Sequence, residues 1–282
     1  MFNVLKQRIL TGLVLAPIMI GGIFYLPIAE FMIFIGVITA LGAWEWANLS
    51  GITNKIGRVV YTLATSGILF LLWALELEQH TELLYGAFAW WILAFLLVRT
   101  HPKFTSFWAS TPVRLLMGLV ILVPMWIGFV QIKGYPYSGY LIIFVMLLVW
   151  GADVGAYFAG RAFGKNKLAP NVSPGKTWEG VYGGIAVTTL VAIAGGILLQ
   201  ENTHMNLTIK QWALLFVATL LVTAVSVVGD LVESMMKRHR GIKDSSNLLP
   251  GHGGVMDRID SMTAALPVFA LVLSIVGWNI SL

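Results

Sequence analysis

Long, nearly uncharged apolar runs recur from end to end of this 282-residue chain. They limit its architecture more than any other feature. Hydrophobic residues make up 58% of the chain and charged residues 11%, about half the charge of a soluble domain. So few charges could not solvate the surface of a water-soluble fold. The runs are instead near the length of helix that crosses ~30 Å of hydrocarbon. The spacing predicts an all-α, polytopic transmembrane protein with about nine spans. They fall at Leu10–Leu26, Phe31–Ala47, Val59–Leu75, Leu83–Val98, Leu115–Val130, Tyr140–Phe158, Gly180–Leu199, Trp212–Val228 and Met262–Trp278. Lys6 and Arg8 before the first run mimic a signal peptide, but no clear small-x-small cleavage site follows, so that run is expected to stay as a helix.

Charge sets the expected sidedness. With the N-terminus inside, only Lys133 and Lys210 of the 18 Lys and Arg residues fall outside, as the positive-inside rule requires. The acidic Glu76, Glu78 and Glu82 and the C-terminus then lie outside. The net charge of +5 therefore reports topology and not a nucleic-acid partner. The absence of Cys excludes disulfides, thiolate catalysis and Cys-ligated metals, and leaves oxygen or His ligands for a hard cation.

Two polar inside loops stand out, Ala159–Glu179 and Leu231–Ser261. The expected division is residues 1–135 as N-terminal transmembrane helices and 136–282 as the region that carries the chemistry.

Ser234–Asp260 concentrates basic groups, carboxylates and glycines between apolar spans, a mixture suited to phosphate and metal chemistry at a membrane surface. Asp230, Ser234 and Lys237 are spaced to share one helical face, with Glu233 off that face, where it could simply be solvated. Asp257 and Asp260, three apart, project from one face of the last helix's first turn, where they could bind one cation or bridge two. The rival reading is acidic charge favoured at a helix N-terminus. Asp153, near the inner end of its span, is either functional or paired with Arg161. His252-Gly253-Gly254 allows a tight turn whose amides face an anion.

Upstream, Ser173-Pro174-Gly175-Lys176-Thr177 reads as a capped helix start, Ser173 at the N-cap and Pro174 at the first helical position. It lacks the full phosphate-loop pattern, yet Lys176 and Thr177 could hold a triphosphate with helix-end amides. Trp44-Glu45-Trp46 reads as an interfacial belt, and Glu45 is given no catalytic role.

These strings resemble the signature of the phosphatidate cytidylyltransferase (CDP-diacylglycerol synthase) family, bacterial inner-membrane type. The match runs Ser234-x-x-Lys237-Arg238, Lys243-Asp244, His252-Gly253-Gly254, Asp257-Arg258 and Asp260, with S-P-G-K-T-W-E-G upstream. It covers most of the chain and is strongest over Trp150–Gly180 and Ser226–Asp260. The resemblance implies that CTP and phosphatidic acid give CDP-diacylglycerol and pyrophosphate in phospholipid biosynthesis. It also implies Mg²⁺ or Mn²⁺, a homodimer, and a site on the cytoplasmic face of a bacterial inner membrane. On this reading Asp230 and Asp257, then Asp260 and Asp153, hold metal. Lys176, Lys237, Arg238 and Lys243 hold phosphates, helped by Ser173, Thr177, His252, Gly253 and Gly254. The two-line acidic pattern of CDP-alcohol phosphotransferases is missing. An ion-coupled transporter is disfavoured because the charges gather at one face and no inverted repeat appears.

Overall fold

The computed structural model describes residues 2–203 and 206–277. In chain order the helices are α1 (Phe2–Tyr25), α2 (Ile28–Leu49), α3 (Lys55–Ala74), α4 (Glu82–Thr100), the short α5 (Thr105–Trp108), α6 (Thr111–Lys133) and α7 (Ser138–Phe163). A two-stranded antiparallel hairpin follows, β1 (Lys167–Ala169) and β2 (Ser173–Thr177), then α8 (Trp178–Thr203), α9 (Ile209–Arg240) and α10 (Met256–Val276). Among the described residues nine helices are long and apolar enough to cross a membrane, matching the nine expected spans. The expected end of the last span, Trp278, and the C-terminus lie outside the described residues.

The central helices are α6 and α10, each buried over two-thirds of its apolar window. The outer helices α1, α3 and α8 expose rows of Leu, Ile and Phe, such as Leu13, Phe70 and Leu190. In hydrocarbon such exposure carries no penalty, so helix contacts depend on close packing of small residues. Gly155 of α7 lies against the Gly183 carbonyl of α8, and Gly184 lies against the Ala152 carbonyl. A methyl at Gly128 on α6 would sit 2.8 Å from the Leu266–Pro267 peptide of α10.

At ~1.5 Å per residue, ~20 residues cross the hydrocarbon. The 32-residue α9 is longer than that, so its last turns, from about Asp230 onward, reach past the apolar layer.

The upstream polar loop departs from expectation. Ser173 is not an N-cap; it begins strand β2 and pairs with Ala169, while Thr177 pairs with Lys167. The cap is Thr177, whose hydroxyl accepts the Gly180 amide at 3.1 Å, and α8 starts at Trp178. The fixed φ of Pro174 suits a helix start and an edge strand equally, so the local pattern could not separate them. Backbone pairing within the hairpin decided.

Candidate functional site

The site begins where α9 crosses α10. Gly229 makes the crossing possible, since a methyl there would meet the Asp260 carbonyl at 2.6 Å. The next residue, Asp230, receives a 3.2 Å hydrogen bond from the Ser234 hydroxyl on Oδ1. Its Oδ2 meets Lys176 Nζ, brought in by strand β2, at 2.6 Å. Asp260 lies within electrostatic reach of Asp230, Lys176 and Lys237. Asp153, on α7, is within reach of Lys176, Asp230 and Arg258. Arg161 bonds instead to the Tyr157 hydroxyl at 3.2 Å, so the rival reading of Asp153 as the partner of Arg161 finds no support.

Lys237 is enclosed by two carboxylates, Glu233 at 2.6 Å and Asp257 at 2.7 Å. Glu233, which could have been simply solvated, is not: its side chain is 1% exposed, and its Oε1 is buried without a hydrogen bond. Helical spacing alone placed it off the Asp230 face but could not show that α10 packs over it.

The last turn of α9 spreads its basic side chains to separate elements. Lys237 faces α10. Arg238 Nε donates to the Val172 carbonyl at 3.2 Å, holding the hairpin turn. His239 meets the Trp108 ring edge-on, and Arg240 Nε donates to the Asn48 carbonyl at 3.1 Å.

The segment from Gly241 to Val255 is held from both sides. Gly241, at φ +73°, ends α9 in the left-handed region. Asp257 Oδ2 accepts from the Ser245 amide at 2.9 Å, the Ser245 hydroxyl at 2.8 Å and the Gly254 amide at 2.8 Å. The Gly254 amide thus faces a carboxylate of the protein itself. Gly253, at φ +84°, closes the turn through its carbonyl, which accepts the Leu249 amide at 2.8 Å. Arg258 donates twice to the His252 carbonyl, at 3.1 and 2.9 Å, and His252 Nδ1 is buried without a partner. Lys243 is exposed on this segment. From α1, Arg8 Nε reaches the Gly251 carbonyl at 2.9 Å and Thr11 the Pro250 carbonyl at 3.0 Å.

The residue that local reading missed is Glu45. Its side chain, on α2, is fully buried. It accepts hydrogen bonds from the Ser245 and Ser246 hydroxyls and from the amides of Val255 (3.0 Å) and Met256 (2.6 Å). Any side chain at Gly254 would collide with this carboxylate. Glu45 therefore receives the first amides of α10 and fixes the loop before it. A Glu between two Trp in an apolar span was the available signal, since a buried carboxylate needs compensating donors.

The model for the cytidylyltransferase family matches residues 6–276. The chain belongs to the cytidylyltransferase family. Among similar curated proteins is the phosphatidate cytidylyltransferase of Pseudomonas aeruginosa, 52% identical over 275 residues, covering 98% of this chain and 99% of the relative. That of Haemophilus influenzae is 43% identical over 94% of this chain and 97% of its own length. That of Bacillus subtilis is 32% identical over 96% of this chain and 98% of its own length.

For this cytidylyltransferase-family chain the fit to a divalent cation can be judged from its own donors. Among the described residues Asp153, Asp230, Glu233, Asp257 and Asp260 meet Lys176, Lys237 and Arg258, so the carboxyl groups of this cluster outnumber its cationic ones. That imbalance suits a bound hard cation. Asp230 and Asp260 fit best, as Asp260 Oδ1 accepts only the adjacent Ser261 amide. Asp257 fits less well, because Oδ1 holds Lys237 and Oδ2 accepts three further donors. It would have to release the loop or the lysine to bind metal. Among the described residues no three His, Asp or Glu side chains converge as a ready-made cage.

Proposed function

We propose that the protein transfers the cytidylyl group of CTP to phosphatidic acid, giving CDP-diacylglycerol and pyrophosphate. The observation that carries this reading is the Lys176–Asp230 ion pair at the α9–α10 crossing, within a chain of this family. A lysine from a soluble hairpin there meets carboxylates from helices at the end of the apolar layer. Nucleotide from water and a lipid headgroup from the bilayer can meet at such a place.

The reaction needs little acid–base help. A phosphomonoester oxygen of phosphatidic acid attacks the α-phosphorus of CTP. A new P–O bond forms, the bond to the bridging oxygen of the pyrophosphoryl group breaks, and pyrophosphate leaves with the electron pair. The nucleophile is already anionic at neutral pH. The task is to bring two polyanions together by position and charge. Lys176 exchanges Asp230 for the triphosphate. Arg238, tied to Val172 through Nε, keeps its terminal nitrogens for phosphate. Lys243, exposed on its loop, adds charge. Lys237 and Asp257 hold the crossing in shape. Asp230 and Asp260, with Asp153 next, would hold a Mg²⁺-class cation, which would neutralise phosphate charge.

The same reading places both polar loops on the cytoplasmic side of a bacterial inner membrane, and the protein in a homodimer. Because the chain has no Cys, single cysteines at Asn171 and Asn247 report sidedness directly. Labelling of either by an impermeant thiol reagent in intact spheroplasts would overturn the orientation. For the activity, detergent-purified protein is given labelled CTP, phosphatidic acid and Mg²⁺, and the lipid is extracted. Label in the lipid phase with matching pyrophosphate release is expected. Its absence with folded protein overturns the reading.

A further inference from the structure

No acidic residue occurs between Glu82 and Asp153, although Arg99, Lys103 and Arg114 lie in that stretch. There α4, α5 and α6 form an open apolar groove of about 540 Å³, lined by Trp90, Leu93, Leu97, Phe104, Trp108 and Met117 among others. Its lining runs along α4 from Trp90 to Thr100, which at ~1.5 Å per residue is about 15 Å, half the thickness of a bilayer's hydrocarbon.

Trp108, Val113 and Met117 of this lining adjoin basic side chains at the rim of the groove. The Trp108 ring carries His101 at 6.0 Å and His239 at 5.0 Å between ring centroids. Arg114, one turn before Met117 on α6, is only 8% exposed. Its Nε is buried without a partner, and its other nitrogens reach only the Leu49 carbonyl at 3.5 Å and the Thr111 hydroxyl at 3.3 Å. Arg240 acts electrostatically on Arg114, and Arg114 and His101 act on His239; among the described residues no carboxylate acts appreciably on Arg114, His101 or His239.

A structural role explains part of this. Arg114 and Arg240 donate to the last carbonyls of α2, where cations are favoured by the helix dipole. Capping accounts for one donor from each arginine. It does not explain why the Arg114 guanidinium is nearly buried beside a second arginine, with an unpartnered Nε and no carboxylate acting on it. Buried unpaired charge is costly and calls for an anion. The adjoining groove is apolar and as deep as a leaflet, so the anion it fits is one that carries an acyl chain.

We infer that this groove and its cationic rim bind an anionic phospholipid, with a chain between α4 and α6 and the headgroup phosphate on Arg114, Arg240 and His239. The site is distinct from the nucleotide cluster, because Lys237 and His239 are about 200° apart around α9. The bound lipid would brace the turn of α9 whose other face holds Asp257.

The test needs no turnover. The full chain is purified with phosphatidylglycerol, phosphatidylcholine or neither, and retained lipid is counted by native mass spectrometry. Inorganic phosphate is titrated separately by thermal shift. Retention of phosphatidylglycerol over phosphatidylcholine is expected, weakened on the order of tenfold in Arg114→Gln, the scale of a lost charge-assisted hydrogen bond. Since Arg114→Gln also removes a cap, His239→Gln and the groove-filling Leu93→Trp are measured beside it. Each is expected to reduce retention at unchanged melting temperature. Equal retention of both lipids, or wild-type retention in His239→Gln and Leu93→Trp, overturns the site. So does inorganic phosphate stabilising the protein as much as phosphatidylglycerol, which would leave the groove no part.

Discussion

The two polar loops of this protein are built in opposite ways. Residues 164–177 are held mainly by local pairing: β1 pairs with β2, the Asn166 carbonyl accepts the Trp178 amide, and the Glu179 carboxylate accepts the amides of Lys165 and Asn166, with Arg238 of α9 adding one bond to the Val172 carbonyl. Residues 241–255 contain one isolated bridge, Leu249 to Gly253, and depend on side chains from elsewhere. Glu45 holds them from α2, Asp257 from α10, and Arg8 and Thr11 from α1. A loop closed by its own backbone leaves its lysine free to exchange partners. A loop closed by buried carboxylates transmits any change in them to the helix start it precedes. Functional loss should therefore look different in the two places.

The largest effect is expected at Glu45. Glu45→Ala strands amides of Val255 and Met256, at about 1–3 kcal/mol for each buried orphan donor. Melting temperature and activity should both collapse, with partial recovery in Glu45→Gln, which keeps one acceptor oxygen. A normal melting curve in Glu45→Ala would remove the contrast between the loops.

Asp257→Asn comes next and sharpens the choice between fastener and metal ligand. Breaking a buried pair by removing one partner costs about 3–5 kcal/mol. As a fastener, the variant should melt lower without metal, and its residual activity should keep the wild-type Mg²⁺ dependence. An unchanged melting curve with a steeply raised Mg²⁺ requirement would return Asp257 to the metal.

Lys176→Ala should do the reverse. The Lys176–Asp230 pair is about a quarter exposed, so its loss should barely change melting. If Lys176 meets the triphosphate, the KM for CTP should rise by about tenfold or more, the scale of a charge-assisted hydrogen bond. Unchanged CTP kinetics would reduce it to a surface ion pair.

The smallest effect separates Thr177 from Ser173. Thr177→Ala removes a helix cap at a cost of about 1 kcal/mol, whereas Ser173→Ala should stay within about 0.5 kcal/mol. The opposite order in thermal melts would restore the helix start to Ser173.

Much of the fold was legible without coordinates. The nine spans, the two polar loops and the gathering of Asp230, Asp257 and Asp260 near one end were read from runs and spacing alone. The errors fell where a residue's state depends on what packs over it. Glu233 is buried because α10 covers it, and Ser173 is a strand residue because β1 lies beside it. Glu45 looked inert because its donors, Ser245 to Met256, are some two hundred positions away in the chain.

Sequence by itself determined the number of crossings, the residue types of the polar loops and the family. Transfer into hydrocarbon is nearly additive over residues, and helical periodicity is local, so both can be summed along a chain. Tertiary structure alone decided which carboxylates hold Lys237, which carboxylate receives the amides of α10, and that Arg114 is buried with no carboxylate acting on it among the described residues. Coulomb energy and hydrogen bonding depend on distances of a few ångströms between side chains remote in sequence, and only the packed helices set those distances.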